Sequence, residues 1–419
     1  MNSFRYFFIL LFLIFPLGQI TRFSLSPSIH LYAHDVVVSL LLISWVVYLF
    51  IRQTTYTRPP LTIPMVYFAA WGFISLVLNT MVFAPSEIAT AGLYLIRWIV
   101  YASLYVVTYD LINRNVLSSR FVVNGLLFSG TLTAVFGLIQ YLLYPSLRNL
   151  MYLGWDPHEY RVFGTFFDSA FIGIILVVTI LLIVERLKKQ QVTILFLVSI
   201  VMLTYSRSSY IGLLVGLWTQ SLINKSYTAS IFITIFVICF IPFLPKPSVT
   251  SEAVKLDRTS TIEARVTNYE QTQEIIAKNW LWGTGFNTLR YVHRDRGFVP
   301  ESEWATSHAA AGADNSLLFV WATTGIIGLV LYTYLLFRAV RETKEQWRTI
   351  VFSTLTALGI HSLFNNTLFY PWVMIWIWLL LGIAHGTGNT GLVPRLVTGD
   401  YFKRIVSFFQ LHHLSKRTI

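Results

Sequence analysis

Apolar runs long enough to cross a bilayer recur along this chain, and a soluble core has no room for so many of them. A spanning helix needs about 20 mainly apolar residues at about 1.5 Å rise each. Runs that fit this requirement lie at about 4–20, 30–51, 61–83, 88–109, 119–144, 166–184, 191–205, 208–224, 227–245, 315–337, 350–366 and 370–386. Composition agrees: 55% of residues are hydrophobic and 12% are charged, against about 25% charged in an ordinary soluble domain. The pattern predicts an all-α, polytopic integral membrane helical bundle of about 12 transmembrane helices.

The net charge of +12 does not point to nucleic acid, because the Lys and Arg residues sit in short segments between apolar runs and in the C-terminal tail. That placement fits anionic membrane lipid and the excess of positive charge found in cytoplasmic loops. With the N-terminus inside, the inner loops hold Arg52 and Arg58, Arg114 and Arg120, Arg186, Lys188 and Lys189, Lys225, and Arg338, Arg341, Lys344 and Arg348. The short alternate loops at 21–29, 84–87 and 367–370 hold one basic residue, Arg22. Both termini are then cytoplasmic, and the long segment 246–314 lies outside. Arg5 and the apolar stretch to Phe15 resemble a secretory signal, but no small-residue cleavage site follows, so an uncleaved first helix is expected.

Four regions follow: helices 1 to 9 over 1–245, the extracytoplasmic loop 246–314, helices 10 to 12 over 315–390, and a basic amphipathic cytoplasmic tail over 391–419. The large loop is partly helical. Ser260-Thr-Ile-Glu263 has capping-box spacing and predicts a helix near 261–278, and Gly283 and Gly285 then permit a tight turn. An alanine-rich flexible stretch follows from Ser307 to Gly312, and the next helix starts at Asp314 or Asn315, both good caps. The lone cysteine, Cys239, can form no disulfide within the chain and reads as a small packing residue.

A basic residue deep in a bilayer costs a few kcal/mol, so each one needs a partner or a task. Arg97 sits near the middle of the fourth run and pairs with either a buried acid, a helix-end carbonyl or an anionic ligand. Arg207, in Thr204-Tyr-Ser-Arg207-Ser-Ser209, stands in a very short outer turn whose hydroxyls can cap the next helix or open its backbone donors to an anion. Arg161 precedes the sixth helix in Arg161-Val-Phe-Gly164-Thr-Phe-Phe-Asp168, either solvated at the interface or facing a ligand. On the loop helix Arg265 shares a face with Thr261 and Tyr269, while Arg290, Arg294 and Arg296 form a basic face that water can solvate. Several guanidinium groups on one outer surface suit a phosphate-bearing partner, which they grip in bidentate forks. Walker, dinucleotide-binding and HExxH signatures are missing, so the sequence calls for no cofactor and no metal.

The order Arg161-x-x-Gly-Thr-Phe, Thr204-x-Ser-Arg207, Arg265 in a loop helix, Trp282-Gly-Thr-Gly285-Phe, Asp314-Asn-Ser-Leu-Leu and Thr324-Gly-Ile-Ile-Gly328-Leu resembles the O-antigen ligase and polymerase family of C-type glycosyltransferases. The resemblance covers about 160–335. It implies a multi-pass protein of the bacterial cytoplasmic membrane that moves a glycan from undecaprenyl diphosphate to a sugar hydroxyl of a glycan or glycolipid acceptor. Arg161, Arg207 and Arg265 match the positions expected to hold the lipid diphosphate, with Arg97 and Arg290 as further candidates. Ligases of this kind carry His before the Asn that opens the post-loop helix, where this chain has Asp314. Asp314 is therefore the first candidate for general base and His308 the second, with Arg265 supporting the departing group.

A transporter or flippase for a lipid-linked glycan or a small anion is the rival reading. Such proteins show internal repeats and broken midplane helices, and the sequence displays neither.

Overall fold

Proline, glycine and capping side chains cut the apolar sequence into helices. The computed structural model describes residues 3–26, 29–186, 190–245, 260–300, 304–305 and 312–386. Lys188, Lys189, His308, the rest of the alanine-rich stretch 306–311 and the basic tail 391–419 lie outside the described residues. Before the large loop the helices are α1 (Ser3–Ile14), α2 (Ala33–Arg52), α3 (Thr62–Leu78), α4 (Pro85–Asn113), α5 (Ser119–Leu143), α6 (Ser169–Arg186), α7 (Gln191–Met202), α8 (Arg207–Asn224) and α9 (Thr228–Phe240). The loop contributes α10 (Ser260–Asn279) and α11 (Leu289–Asp295), followed by α12 (Ser316–Arg341), α13 (Glu345–His361) and α14 (Pro371–His385).

By length and composition, six of the described segments can cross a membrane: Ser3–Thr21, Ala33–Arg52, Pro85–Asn113, Ser119–Leu143, Ser169–Arg186 and Ser316–Arg341. Thr62–Leu78, Gln191–Met202, Thr228–Phe243 and Pro371–His385 are apolar but shorter. The sequence pattern predicted about twelve crossings, and this criterion supports six. An almost wholly helical membrane protein is what these segments describe.

Three local expectations are corrected. The first helix does not run unbroken to residue 20: α1 ends at Ile14, and Phe15–Thr21 tightens into a 3₁₀ turn, because Pro16 has no amide to donate and disfavours helix in the residue before it. The segment after it is not a plain loop but an antiparallel hairpin, β1 (Arg22–Ser26) and β2 (Ile29–Tyr32). Cys239 is exposed on α9 and packs no core.

The helices α6 and α14 are apolar on every side and buried nearly throughout, α14 carrying Trp372 and Trp376 into the interior. Outward, Ile43 of α2, Phe73 of α3 and Ile238 of α9 present exposed apolar surface suited to lipid. The bundle has two chemically distinct ends. At one, Arg5 bonds the carbonyl of Val116, Arg114 bonds Asp110 and the carbonyl of Thr55, and Arg186 bonds the carbonyl of Gln346. This end gathers the basic loops. At the other, the N-termini of α6, α8, α12 and α14 open on one cavity.

The helix α12 is broken. Gly325 adopts φ +67° and ψ −175°, which interrupts the helical ladder. The loop 280–285 enters the gap: the amides of Thr284 and Gly285 donate to the carbonyls of Ala322 and Thr323, and the amide of Ile326 donates to the carbonyl of Trp280. From α3, Trp71 donates to the carbonyl of Thr324 and Ser75 to that of Thr323. Every carbonyl of the break from 322 to 324 is thereby satisfied, which a buried interruption requires. This corrects the expectation of unbroken helices.

Only glycine fits this crossing. A Cβ on Gly283 would stand 2.4 Å from the Thr323 carbonyl, and one on Gly325 would stand 2.0 Å from the Leu281 oxygen, both at positive φ. Gly325→Ala is expected to cost at least about 2 kcal/mol, read as a lowered thermal midpoint of the detergent-purified protein. Gly359→Ala on α13, where an added Cβ meets nothing within 4 Å, serves as control. Equal midpoints for the two variants would contradict the lock.

Candidate active site

The cavity at the non-basic end has a volume of about 800 Å³. Local structure explains why charged side chains face it. Ser206 caps α8 by accepting from the amide of Ser209, and the tight turn before it holds Tyr205 at φ +52°, so Arg207 is delivered as the first residue of the helix. Asp168 caps α6, its Oδ1 accepting from the amides of Ala170 at 2.7 Å and Phe171 at 3.1 Å. Asn315 caps α12, accepting from Leu317 at 2.9 Å and Leu318 at 3.1 Å. Three helix N-termini therefore direct partial positive charge towards the same space.

Arg97, Arg161, Arg207, Arg265, Arg290 and Asp314 all line this single cavity. Their environments differ. Arg97 forms an ion pair of 2.9 Å with Asp35 of α2 and donates to the carbonyl of His30, while Tyr101 donates to the second oxygen of Asp35. Of the readings open for Arg97, the buried acid is the one the structure supplies. Arg290 donates to the carbonyls of Trp304 at 2.8 Å and Ala305 at 2.7 Å. Its neighbours behave otherwise: Arg294 pairs with Glu87 and Asp295, and Arg296 with Glu274.

Arg207 and Arg265 come close enough to feel each other's charge, and Arg265 stands near Asp314 and Asp168. Burial, the largest effect, lowers the Arg265 pKa; Asp314 opposes it and Arg207 reinforces it. Arg265 reaches Asn365 at 3.5 Å and lies 5.8 Å over the ring of Phe364. Arg161 contacts His158 and is felt by both Asp156 and Asp168.

The carboxylates are held in surroundings that oppose their charge. Burial raises the pKa of Asp168, and burial followed by Asp168 raises that of Asp156. Asp314 is pushed up to about 6, by burial first, with Arg265 pulling it down and Asp156 and Asp168 adding to the rise. Because Asn315 performs the capping, the Asp314 carboxylate is left for other work. Its backbone amide is fixed by Asn268 at 2.8 Å. Asp314 thus combines a fixed backbone with a carboxyl that titrates near neutrality, as a general base requires.

Sequence reasoning missed Asp35, Asp156, His158 and Asn365. Asp168 stood at the end of the Arg161 motif, and a carboxylate directly before an apolar run is a capping signal; Asp156 and His158 lie just upstream of Arg161 with no pattern to mark them, while Asp35 and Asn365 come from distant segments that only folding unites. Among the described residues no group of three His, Cys, Asp or Glu side chains is placed to hold a metal ion.

Residues 192–333 match the family described as O-Antigen ligase. The chain carries an O-antigen ligase-like domain. No curated protein matches it. The matched segment includes Arg207, Arg265, Arg290 and Asp314 from the cavity, and both strands of the Gly283–Gly325 crossing. It supports a membrane glycosyltransferase-like role in polysaccharide biosynthesis, and the O-antigen ligase family implies a lipid-linked glycan donor and a glycan acceptor.

Asn315→Ala is expected to lower stability by about 1 kcal/mol through loss of the cap, whereas Asp314→Asn leaves stability intact. Chemical or thermal unfolding of the two purified variants checks this. A matching loss for Asp314→Asn would return that residue to a structural role.

Proposed function

We propose that the protein is an extracytoplasmic glycosyltransferase that moves a glycan from an undecaprenyl-diphosphate carrier to an acceptor sugar hydroxyl. The observation that carries this reading is the meeting of Arg161, Arg207 and Arg265 with Asp314 in one cavity, ringed by helix N-termini, at the end of the bundle opposite the basic loops. The positive-inside rule puts the basic end in the cytoplasm and the cavity outside.

The chemistry follows from charge. The acceptor oxygen attacks the anomeric carbon, the bond from that carbon to the diphosphate breaks, and its electron pair leaves with the lipid diphosphate. Arg161, Arg207 and Arg265 neutralise the charge gathering on the leaving oxygens, in a site where burial makes that interaction stronger than in water. Asp314 takes the proton from the attacking hydroxyl. Its carboxylate form is present above about pH 6 and lost below it.

Among the described residues, the break in α12 is a feature that transporters also show, yet here loop backbone fills it and satisfies its carbonyls. The transferase reading accounts for the arginines and for Asp314 together.

Purified protein incubated with a lipid-diphosphate oligosaccharide and an acceptor tests the reading. Arg161→Ala, Arg207→Ala or Arg265→Ala is expected to cut transfer by at least about 100-fold with the protein still folded. The wild-type rate should fall as pH drops through about 6, and Asp314→Asn should remove that limb. Normal product from all three arginine variants would reject the diphosphate site.

A further inference from the structure

The cavity has a second cationic end that the diphosphate chemistry does not use. The hairpin places Arg22 just behind the cavity wall, in contact with His30 at 2.7 Å and 5.4 Å over the ring of Trp155, both of which line it. Arg290 faces it from the loop, bonded to two backbone carbonyls. An imidazole and two carbonyls carry no negative charge, and among the described residues neither guanidinium group has a carboxylate in an ion pair with it. Among the described residues, the carboxylates near this end are already paired, Asp35 with Arg97 and Glu87 with Arg294. Tyr94 and Trp155 line the same space, and Arg97 lies 5.1 Å over the Tyr94 ring.

The strongest charges acting on Arg290 and on Arg265 come from different residues. Burial lowers the Arg290 pKa, Tyr94 and Tyr291 oppose it, and Arg22 adds to it. The charges felt by Arg265 are instead Asp314, Arg207, Asp168 and Tyr269. Burying like charges together is unfavourable unless an anion completes the site. Phenol and indole rings beside the arginines offer flat apolar faces with polar edges, which suit the C–H face of a sugar ring.

We infer that the end formed by Arg22, Arg290, Tyr94 and Trp155 is a glycan subsite that takes a sugar bearing an anionic substituent, a carboxylate or a phosphate, at a distance from the bond being transferred. The inference rests on the transferase reading for its context, but not for its test. Binding energy gained here would hold the glycan in register while Arg207 and Arg265 grip the diphosphate.

Two probes separate the ends. Binding of a glucuronic-acid-containing disaccharide, of its neutral glucose counterpart and of inorganic pyrophosphate is measured on the full-length purified protein and its variants. The acidic disaccharide is expected to bind more tightly than the neutral one, with the preference falling as salt rises. Arg22→Gln and Arg290→Gln should each weaken the acidic disaccharide by about 10- to 100-fold and leave pyrophosphate unchanged, and Arg290→Lys should retain part of the preference. Arg207→Ala should do the reverse. Equal binding of the acidic and neutral disaccharides overturns the inference, as does a loss of pyrophosphate binding in Arg290→Gln equal to that in Arg207→Ala. Intact sugar preference with no pyrophosphate binding at all would instead strike the diphosphate reading and leave the subsite standing. Moving the acidic residue from donor to acceptor in transfer assays shows which glycan supplies it: the Arg290→Gln rise in KM follows the acidic partner.

Discussion

Guanidinium groups crowded into a half-buried cavity repel one another and give up hydration, and the protein bears that cost at one end of its bundle. The rest of the architecture is arranged around it. The helices α6, α8 and α12 begin at the cavity, each capped by a side chain, so their dipoles add to the positive potential instead of relieving it. Asp314 and Asp168 offset part of it, yet burial penalises their own ionisation. What remains is a space that favours a multiply charged anion.

Loop segments and helix ends together supply the cavity wall, and the loop segments need a rigid base. The Gly283–Gly325 crossing provides one. By threading loop backbone into the break of α12, it fixes the 280–285 turn to a membrane-crossing helix and, through Trp71 and Ser75, to α3. The helices that flank this turn, α10 and α11, carry Arg265 and Arg290 into the cavity. A lock of backbone on backbone has little rotational slack, which suits a site that must hold charge at hydrogen-bond distances.

Much of this was legible beforehand, and for a physical reason. Apolar runs, caps and charge asymmetry are local signals, so the helical segments and α10 could be read from spacing, Arg97 and Arg207 could be singled out because charge in apolar surroundings demands a task, and Arg161 and Arg265 joined Arg207 through the family resemblance. Pairings between distant segments were not legible. Nothing near Arg97 in sequence announces Asp35, 62 residues earlier. The break at Gly325 hides in an otherwise apolar run, since its cause is a loop some 40 residues upstream. Arg290 read both as one of three solvated cations and as a further candidate for the diphosphate, and the fold turns it inward while Arg294 and Arg296 take acidic partners.

The proposed grip of these arginines on a lipid diphosphate, on the side away from the basic loops, can be seen or refuted in a single experiment. An experimental structure with undecaprenyl diphosphate bound tests it most directly. The diphosphate should lie between Arg161, Arg207 and Arg265, within reach of their guanidinium nitrogens, with the lipid chain leaving between helices. Diphosphate density at the basic end of the bundle, or elsewhere out of contact with those three side chains, would contradict it.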